Sequence, residues 1–183
     1  MTTQALLIID VQKAIDDPKW GRRGQPGAEA AIARLLAAWR ERRLPVIHIR
    51  HDSTDPQSPY RPGTDGNDFK PEAEPQLGEP VVDKRTNNAF IGTDLMDVLD
   101  ELQVRSLVIA GVLLENSVDA TVRMASNLGF EVTIPEDAVA SIDRKDRNGK
   151  VWSAEDVHAL SLAILDGEYA RISMTDAIIE TLP

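Results

Sequence analysis

Three side chains with complementary chemistry follow three short apolar segments of the sequence. Asp10 follows the run Ala5–Ile9, Lys84 follows a Val-Val-Asp segment, and Ser117 comes shortly after a run that ends at Gly111. A carboxylate directly after five apolar residues is costly to bury unless it is paired with a cation or has a chemical role. A hydroxyl nucleophile with a base and an orienting cation is the pattern of covalent catalysis. Brought together, the three residues would predict covalent catalysis.

Each of these residues also has a simpler interpretation. Asp10 could cap a turn, and Lys84 alone reads as a surface lysine. Ser117 could be the N-cap of a helix that begins near Asn116. The same helix start offers unpaired backbone N–H groups and a favourable dipole, which suit an oxyanion. The chemistry therefore depends on whether the fold brings the three residues together.

The pattern of elements predicts that it does. Short apolar runs alternate with amphipathic stretches, which is typical of βαβ units with a mostly parallel sheet and helices on both faces. We predict an α/β fold, a three-layer Rossmann-like sandwich around a six-stranded sheet. The expected strands are 5–9, 45–49, 81–82, 106–111, 130–134 and 169–172, and the expected helices are 26–43, 94–102 (capped by Thr93), 116–128, 153–165 (capped by Ser153) and 175–182. Ligand sites in such sheets lie beyond the carboxyl ends of the strands.

The segment 51–80 interrupts this alternation. Its 30 residues contain six prolines and three glycines, and ordered loops of this length are usually lids or binding loops. We interpret residues 1–183 as a single domain with this loop at its catalytic edge. Tyr60, Phe69 and Leu77 in the loop need apolar cover. A neighbouring subunit could supply that cover, so we expect a homodimer or larger homo-oligomer.

Composition narrows the class of protein. The chain has 183 residues, 20.1 kDa and a formal charge of −10, which suits one domain and argues against nucleic acid and anionic membrane as partners. No apolar run approaches the roughly 18–20 residues of a membrane span. We read no signal peptide at the N-terminus and expect a cytoplasmic protein acting on a small-molecule substrate. Cysteine is absent, which excludes disulfides and thiolate ligands.

No metal or nucleotide cofactor is expected. His48 and His51 are three residues apart near a strand end and should point to opposite faces, and His158 lies within an amphipathic helix. Glycines at 21, 24 and 27 have roughly a dinucleotide-binding spacing but follow no strand. Candidates for lining a substrate pocket are Trp20, His51, Asn88 and Phe90, with core packing as the alternative for Phe90.

The sequence resembles the isochorismatase-like hydrolase superfamily, the cysteine hydrolases that include nicotinamidases. The matching stretches cover nearly the whole chain in order: 6–12, Lys84 with 88–95, 108–112, 117–125 with 129–130, and 153–160. The resemblance implies that Asp10 is the general base, that Lys84 stabilises charge at the nucleophile, and that position 117 carries the nucleophile. It also implies an oxyanion hole formed by the backbone N–H groups of Leu113 and Ser117, and a cis peptide between Val112 and Leu113.

Two positions depart from the family pattern. The family nucleophile is a cysteine, where this chain has Ser117, and the usual threonine is replaced by Leu114. Four explanations remain open. Ser117 could be a natural nucleophile, or a serine substituted for cysteine to trap a substrate. The chain could be an isochorismatase-type vinyl-ether hydrolase, or a catalytically silent binder. The resemblance favours a hydrolase of a small-molecule C–N bond, an amide or ureide, that works through an acyl-enzyme on Ser117.

Overall fold

The computed structural model describes residues 3–183, whose main sheet is parallel throughout. The nine strands are β1 (Thr3–Ile9), β2 (Val46–His51), β3 (Val81–Lys84), β4 (Val104–Val112), β5 (Glu131–Pro135), β6 (Val139–Ala140), β7 (Arg144–Lys145), β8 (Val151–Trp152) and β9 (Arg171–Ser173). The five α-helices are α1 (Ala28–Glu41), α2 (Leu95–Glu101), α3 (Asp119–Asn127), α4 (Ala154–Leu165) and α5 (Thr175–Glu180). The sheet runs β3-β2-β1-β4-β5-β9, with β6 pairing beside β4, and β7 and β8 form a separate antiparallel hairpin.

The helices form a layer on each face of this sheet because β1 is apolar on both faces. Leu6 and Ile8 pack with residues of α1 and α5, whereas Leu7 and Ile9 pack with residues of α2, α3 and α4. All four side chains are fully buried. A strand covered on both sides reads as a continuous apolar run, which is why the first strand is visible in the sequence.

The strand order reverses between β1 and β4. From β1 the chain first builds outward through β2 and β3, then returns to place β4 on the other side of β1. Gly111 at the end of β4 pairs with Ile9 and has φ 131°, and a Cβ at this position would collide with the Ile9 carbonyl oxygen. Glycine therefore allows the two strand ends to meet at the switch point.

The predicted α/β class and all six predicted strands are confirmed, with differences at the boundaries. The sheet has a seventh strand, β6, and the β7–β8 hairpin also went unpredicted, because two-residue strands carry no periodic signal. The Ser153 cap is confirmed, since its hydroxyl accepts from the Asp156 N–H. Helix α2 begins at Leu95, one residue later than predicted; Asp94 before it makes no side-chain cap bond, whereas the Thr93 hydroxyl accepts from the Leu95 N–H at 3.4 Å.

The long segment 51–80 folds back onto its own chain. Gln12 forms a bridge with Phe69, and the Lys70 N–H donates to the Val11 carbonyl. Tyr60 and Phe69 are each only 8% exposed, while Leu77 is fully exposed. The reasoning that Tyr60 and Phe69 need a neighbouring subunit for cover is therefore wrong. None of the helices within residues 3–183 is long and apolar enough to cross a membrane.

Glu79 fastens the end of this segment to the sheet and to α1. Its carboxylate accepts two hydrogen bonds from Arg40, at 2.7 and 2.8 Å, and one from His48 Nε2 at 2.9 Å. Burial alone would raise the pKa of Glu79, but these bonds and one from the Gln76 N–H outweigh it and lower the pKa to about 2. The ionised carboxylate therefore stabilises the folded chain.

We expect Glu79→Gln to lower the free energy of unfolding at pH 7 by on the order of 2 kcal/mol. The stabilisation is complete above the ordinary glutamate pKa of 4.5 and is lost as the pH falls towards about 2. The difference between wild type and variant should therefore shrink between pH 5 and about pH 3. Urea unfolding across this range measures it, with the exposed Glu72→Gln as a matched control. A difference that does not change with pH would contradict the assigned role.

Candidate active site

Asp10, Lys84 and Ser117 meet at the carboxyl edge of the sheet. Lys84 Nζ lies 2.7 Å from Asp10 Oδ2 and 3.4 Å from Ser117 Oγ. All three residues are buried, and Lys84 is completely inaccessible. Asp10 and Lys84 thus form a buried ion pair at the expected edge of the sheet, and the fold brings the Ser117 hydroxyl to the same ammonium group.

Each side chain owes its position to a strand end. Asp10 directly follows β1 and has φ 55°, a left-handed conformation that aspartate tolerates better than most residues. Lys84 ends β3, where it pairs with His51 of β2. Ser117 lies in a π-helical turn, Leu114–Val118, that leads from β4 into α3. Such turns are rare and occur often at functional sites.

The Lys84 ammonium has more acceptors than hydrogens. Besides Asp10 and Ser117, it lies 3.1 Å from the Thr86 carbonyl oxygen and 3.4 Å from His51 Nδ1. An ammonium group has three hydrogens. The two shortest contacts, to Asp10 and Thr86, take two of them, and Ser117 and His51 share the third. The other carboxylate oxygen, Asp10 Oδ1, is buried and has no hydrogen-bond partner among residues 3–183, so it is available as a proton acceptor.

His51 is a neutral member of this group at neutral pH. Burial lowers the pKa of its imidazole, and the nearby Lys84 lowers it further. With Nδ1 accepting from Lys84, the ring proton resides on Nε2. The ring packs edge-on against Tyr60, with centroids 5.6 Å apart, and burial raises the pKa of Tyr60 well above its usual range.

Two buried amides hold the backbone at His51. The Gln12 side chain accepts from the His51 N–H at 2.8 Å and donates to the His51 carbonyl at 3.2 Å. The Asn67 side chain donates to the carbonyls of His51 and Tyr60, each at 3.0 Å. These bonds attach the long segment to the end of β2 and so fix the side of the site that carries His51 and Tyr60.

A cavity of about 270 Å³ opens onto Asp10 and Ser117. Trp20 and His51 line it as predicted, and the Trp20 indole N–H donates to the Ala14 carbonyl at 2.7 Å, which fixes the ring. Leu113 also lines the cavity, and its peptide bond with Val112 is cis, as the family resemblance implied. The remaining lining residues are Asp10, Ile15, Lys19, Ser53, Asp55, Ser58, Tyr60, Asn87, Val112, Asn116, Ser117 and Arg144.

Two pocket predictions need correction, because Asn88 and Phe90 do not line this cavity. Asn88 donates from its side chain to the Ala120 carbonyl and accepts from the Phe90 N–H, so its amide is used to join the 86–92 turn to α3. Phe90 stacks on Phe130 at 6.2 Å and packs against the core. The neighbouring Asn87 faces the cavity instead.

Sequence reasoning missed Gln12, Asn67, Tyr60 and Arg144. Gln12 carried a usable signal, a polar residue three positions after the end of a buried strand. Asn67 and Arg144 reach the site from a loop and a short hairpin, and no local pattern marks either. Within residues 3–183, no group of three or more His, Asp or Glu side chains is arranged to hold a metal ion.

A doubly wound parallel sheet with a polar cavity at its switch point is the class of α/β protein that binds small molecules at this edge. Comparison with known proteins identifies the family. The isochorismatase domain model matches residues 4–163, and the chain belongs to the isochorismatase family.

Two of the relatives cover almost the whole chain, and a third covers about three quarters of it. The isochorismatase family protein YrdC of Bacillus subtilis (strain 168) is 39% identical over 176 residues, which are 96% of this chain and 94% of that protein. The solved structure of an isochorismatase-family protein from Chromobacterium violaceum ATCC 12472 has a TM-score of 0.93 and 54% identity, covering 98% of this chain and 92% of that one. Streptothricin hydrolase of Streptomyces noursei is 37% identical over 143 residues, 76% of this chain and 50% of that protein. The family is one of hydrolases, and this chain is a member of it.

We expect Lys84→Met to lower the free energy of unfolding by about 3–5 kcal/mol, because it leaves the Asp10 carboxylate buried and unpaired. Adding Asp10→Asn should recover most of that loss, since asparagine tolerates the left-handed backbone at this position and carries no charge. Denaturant unfolding of the two single variants and the double variant measures the coupling. Lys13→Met, which breaks an exposed pair with Asp68, is the matched control and should change stability little. Equal losses for Lys84→Met and Lys13→Met would contradict the buried pair.

Proposed function

We propose that this protein hydrolyses a C–N bond, amide or ureide, in a small molecule, and that the reaction proceeds through an acyl-enzyme on Ser117. One observation carries the proposal: a single buried ammonium group contacts both a carboxylate with a free oxygen and a hydroxyl that faces the cavity. The likeness to streptothricin hydrolase supports hydrolysis as the reaction class.

In the proposed first step, Ser117 Oγ attacks the substrate carbonyl carbon while Asp10 takes the hydroxyl proton. The carbonyl electron pair moves onto its oxygen, and the backbone N–H groups of Leu113 and Ser117 hold that oxyanion. When the intermediate collapses, the C–N bond breaks and the amine leaves with the proton from Asp10. Water then attacks the ester with Asp10 again as the base, and Ser117 recovers its proton.

Lys84 supports this sequence without changing its own protonation. Its third N–H, shared between Ser117 and His51 in the free protein, can turn fully to Ser117 Oγ as negative charge develops there. His51 then gives up a contact that costs little, because a neutral ring leaves no unpaired charge behind. An interaction that strengthens as the nucleophile ionises favours the transition state over the ground state.

A serine at this position predicts slow amide hydrolysis. A cysteine thiol has a pKa near 8.5 and neighbouring cations lower it readily, so a thiolate can exist before attack. A serine hydroxyl must lose its proton during attack and depends wholly on Asp10. The rest of the site is as well suited to a thiolate as to a hydroxyl.

We therefore expect Ser117→Cys to raise kcat on primary amides and ureides by at least about tenfold, and Ser117→Ala to abolish turnover. A panel of such compounds is assayed by ammonia or amine release. Hydroxylamine should intercept the acyl group as a hydroxamate, and mass spectrometry should find the acyl adduct on residue 117. Ser53→Cys places a thiol in the same cavity at a residue that is not among the hydrogen-bond partners of the Lys84 ammonium group, and it should gain no amidase activity.

The alternatives give different results. Turnover of a vinyl ether with no adduct at position 117 would replace this proposal with isochorismatase-type hydrolysis. Binding of amides with no turnover by either the serine or the cysteine protein would identify a silent binder.

A further inference from the structure

Positive charge collects beside the catalytic cavity, although the chain as a whole carries a formal charge of −10. Two of the residues that line the cavity are cations, Lys19 and Arg144. Arg144 is the first residue of the β7–β8 hairpin, and the same hairpin carries Lys145, Arg147 and Lys150. Cations grouped at the mouth of a cavity repel one another and attract anions, so their grouping in an acidic protein indicates a ligand of negative charge.

Most of these cations have no carboxylate partner of their own. Lys19, Lys145, Arg147 and Lys150 form no salt bridge within the described part of the chain. The ammonium groups of Lys19 and Lys150 instead lie over the indole rings next to them in the fold, 4.6 and 3.3 Å from the ring centroids. A cation held on an aromatic ring keeps its full charge, and that charge remains available to a ligand.

Arg144 has the geometry to bind a second carboxylate. Its Nε donates to Glu115 Oε1 at 2.9 Å, and its two terminal nitrogens form no hydrogen bond within residues 3–183. A guanidinium group with one carboxylate on its Nε side can still bind another end-on, through parallel N–H···O bonds from Nη1 and Nη2. Glu115 belongs to the π-helical turn that carries Ser117, so the pair fixes the guanidinium group relative to the nucleophile.

The carboxylates near the cavity do not cancel this charge. Asp10 is compensated by Lys84 at 2.7 Å. Asp55, which also lines the cavity, accepts from the Gln57 N–H and so belongs to a turn of segment 51–80. Asp146 of the hairpin likewise accepts from backbone N–H groups of its own turn. Counted with Glu115, three carboxylates stand against the five cations named above, and the excess is positive.

We propose that the substrate is an anionic amide or ureide, a small compound with a carboxylate beyond its C–N bond, and that Arg144 is the residue that selects it. The two terminal nitrogens of Arg144 bind the substrate carboxylate, while Lys19 and the other hairpin cations attract the anion to the cavity. The reacting group of this substrate rests on the proposed function, whereas its charge rests on Arg144 alone. The cavity of about 270 Å³ keeps the compound small.

Isothermal titration calorimetry on the Ser117→Ala protein measures binding without turnover. The probes are malonamate, succinamate and glutaramate, each compared with its neutral diamide. We expect the best of these acids to bind at least about tenfold more tightly than its diamide at low salt. Added salt should reduce this preference, because it screens the charges of a half-exposed site.

Variants in the same Ser117→Ala background assign the preference to its residue. Arg144→Gln should remove it and leave the affinity for the diamide within about twofold, because only the acid uses the guanidinium group. Arg144→Lys keeps the charge without the paired N–H groups and should bind the acids with intermediate affinity. Asp55→Asn removes a repulsion and should strengthen acid binding. The matched control is Arg34→Gln, a half-exposed arginine that pairs with Asp137 outside the cavity and should change neither affinity. Circular dichroism confirms that each variant is folded.

Hydrolysis of the same pairs of compounds separates this inference from the proposed function. In the protein with Ser117 or Ser117→Cys, Arg144→Gln should raise KM for the acids and leave kcat/KM for the diamides unchanged. Acids that bind through Arg144 but are hydrolysed by neither protein would refute the proposed function and leave this inference standing. Hydrolysis of the diamides with no preference for the acids would do the reverse. Equal affinities for acids and diamides, no acid binding up to about 10 mM, or a preference that persists in Arg144→Gln would each overturn the selection of an anionic substrate by Arg144.

Discussion

The buried ion pair between Lys84 and Asp10 is the constraint on which the rest of the site depends. An ammonium group removed from water must be compensated by close, well-placed acceptors. The fold supplies them from separate segments: a carboxylate after β1, a carbonyl after β3, an imidazole from β2 and a hydroxyl after β4. Only a parallel sheet brings the ends of β1, β2, β3 and β4 to one edge in this way, so the electrostatic requirement and the topology support each other.

The covering of this pair explains the long segment 51–80. A Pro-rich stretch cannot build a sheet, but it can be fastened by side chains that replace backbone partners. At the start of the segment, the Gln12 and Asn67 side chains hydrogen-bond the backbone of His51. At its far end, the Glu79 carboxylate accepts hydrogen bonds from Arg40 and His48. The segment then buries Tyr60 against the ring of His51. Water is excluded from Lys84 by a loop that is held at both ends, and its electrostatic contacts are stronger for that exclusion.

The sequence predicts a feature well where the local residue types allow only one structural interpretation. A run of five apolar residues predicts β1. The aspartate directly after it predicts a carboxylate that is paired with a cation or takes part in a site. The rule for parallel strands then predicts the edge of the sheet at which Asp10, Lys84 and Ser117 meet. Prediction was weaker where a side chain has two plausible environments. Phe90 follows Lys84 closely in the sequence, but it packs on Phe130, the residue just before β5, and only the tertiary structure decides this. Arg144 lies in a two-residue strand and Asn67 in a single 3-10 turn, and elements this short carry no periodic pattern, so nothing local could place them in the site.

The error over Tyr60 and Phe69 has the same physical origin. Apolar residues in an irregular segment can be covered by the chain itself, because a loop is free to fold back, as segment 51–80 does. A helix has no such freedom. Once the buried face of α4, formed by Ala154, His158, Leu162 and Leu165, is packed against the domain, the opposite face stays at the surface. Exposed Leu160 and Ile164 therefore persist in the folded monomer, whereas exposed loop residues need not.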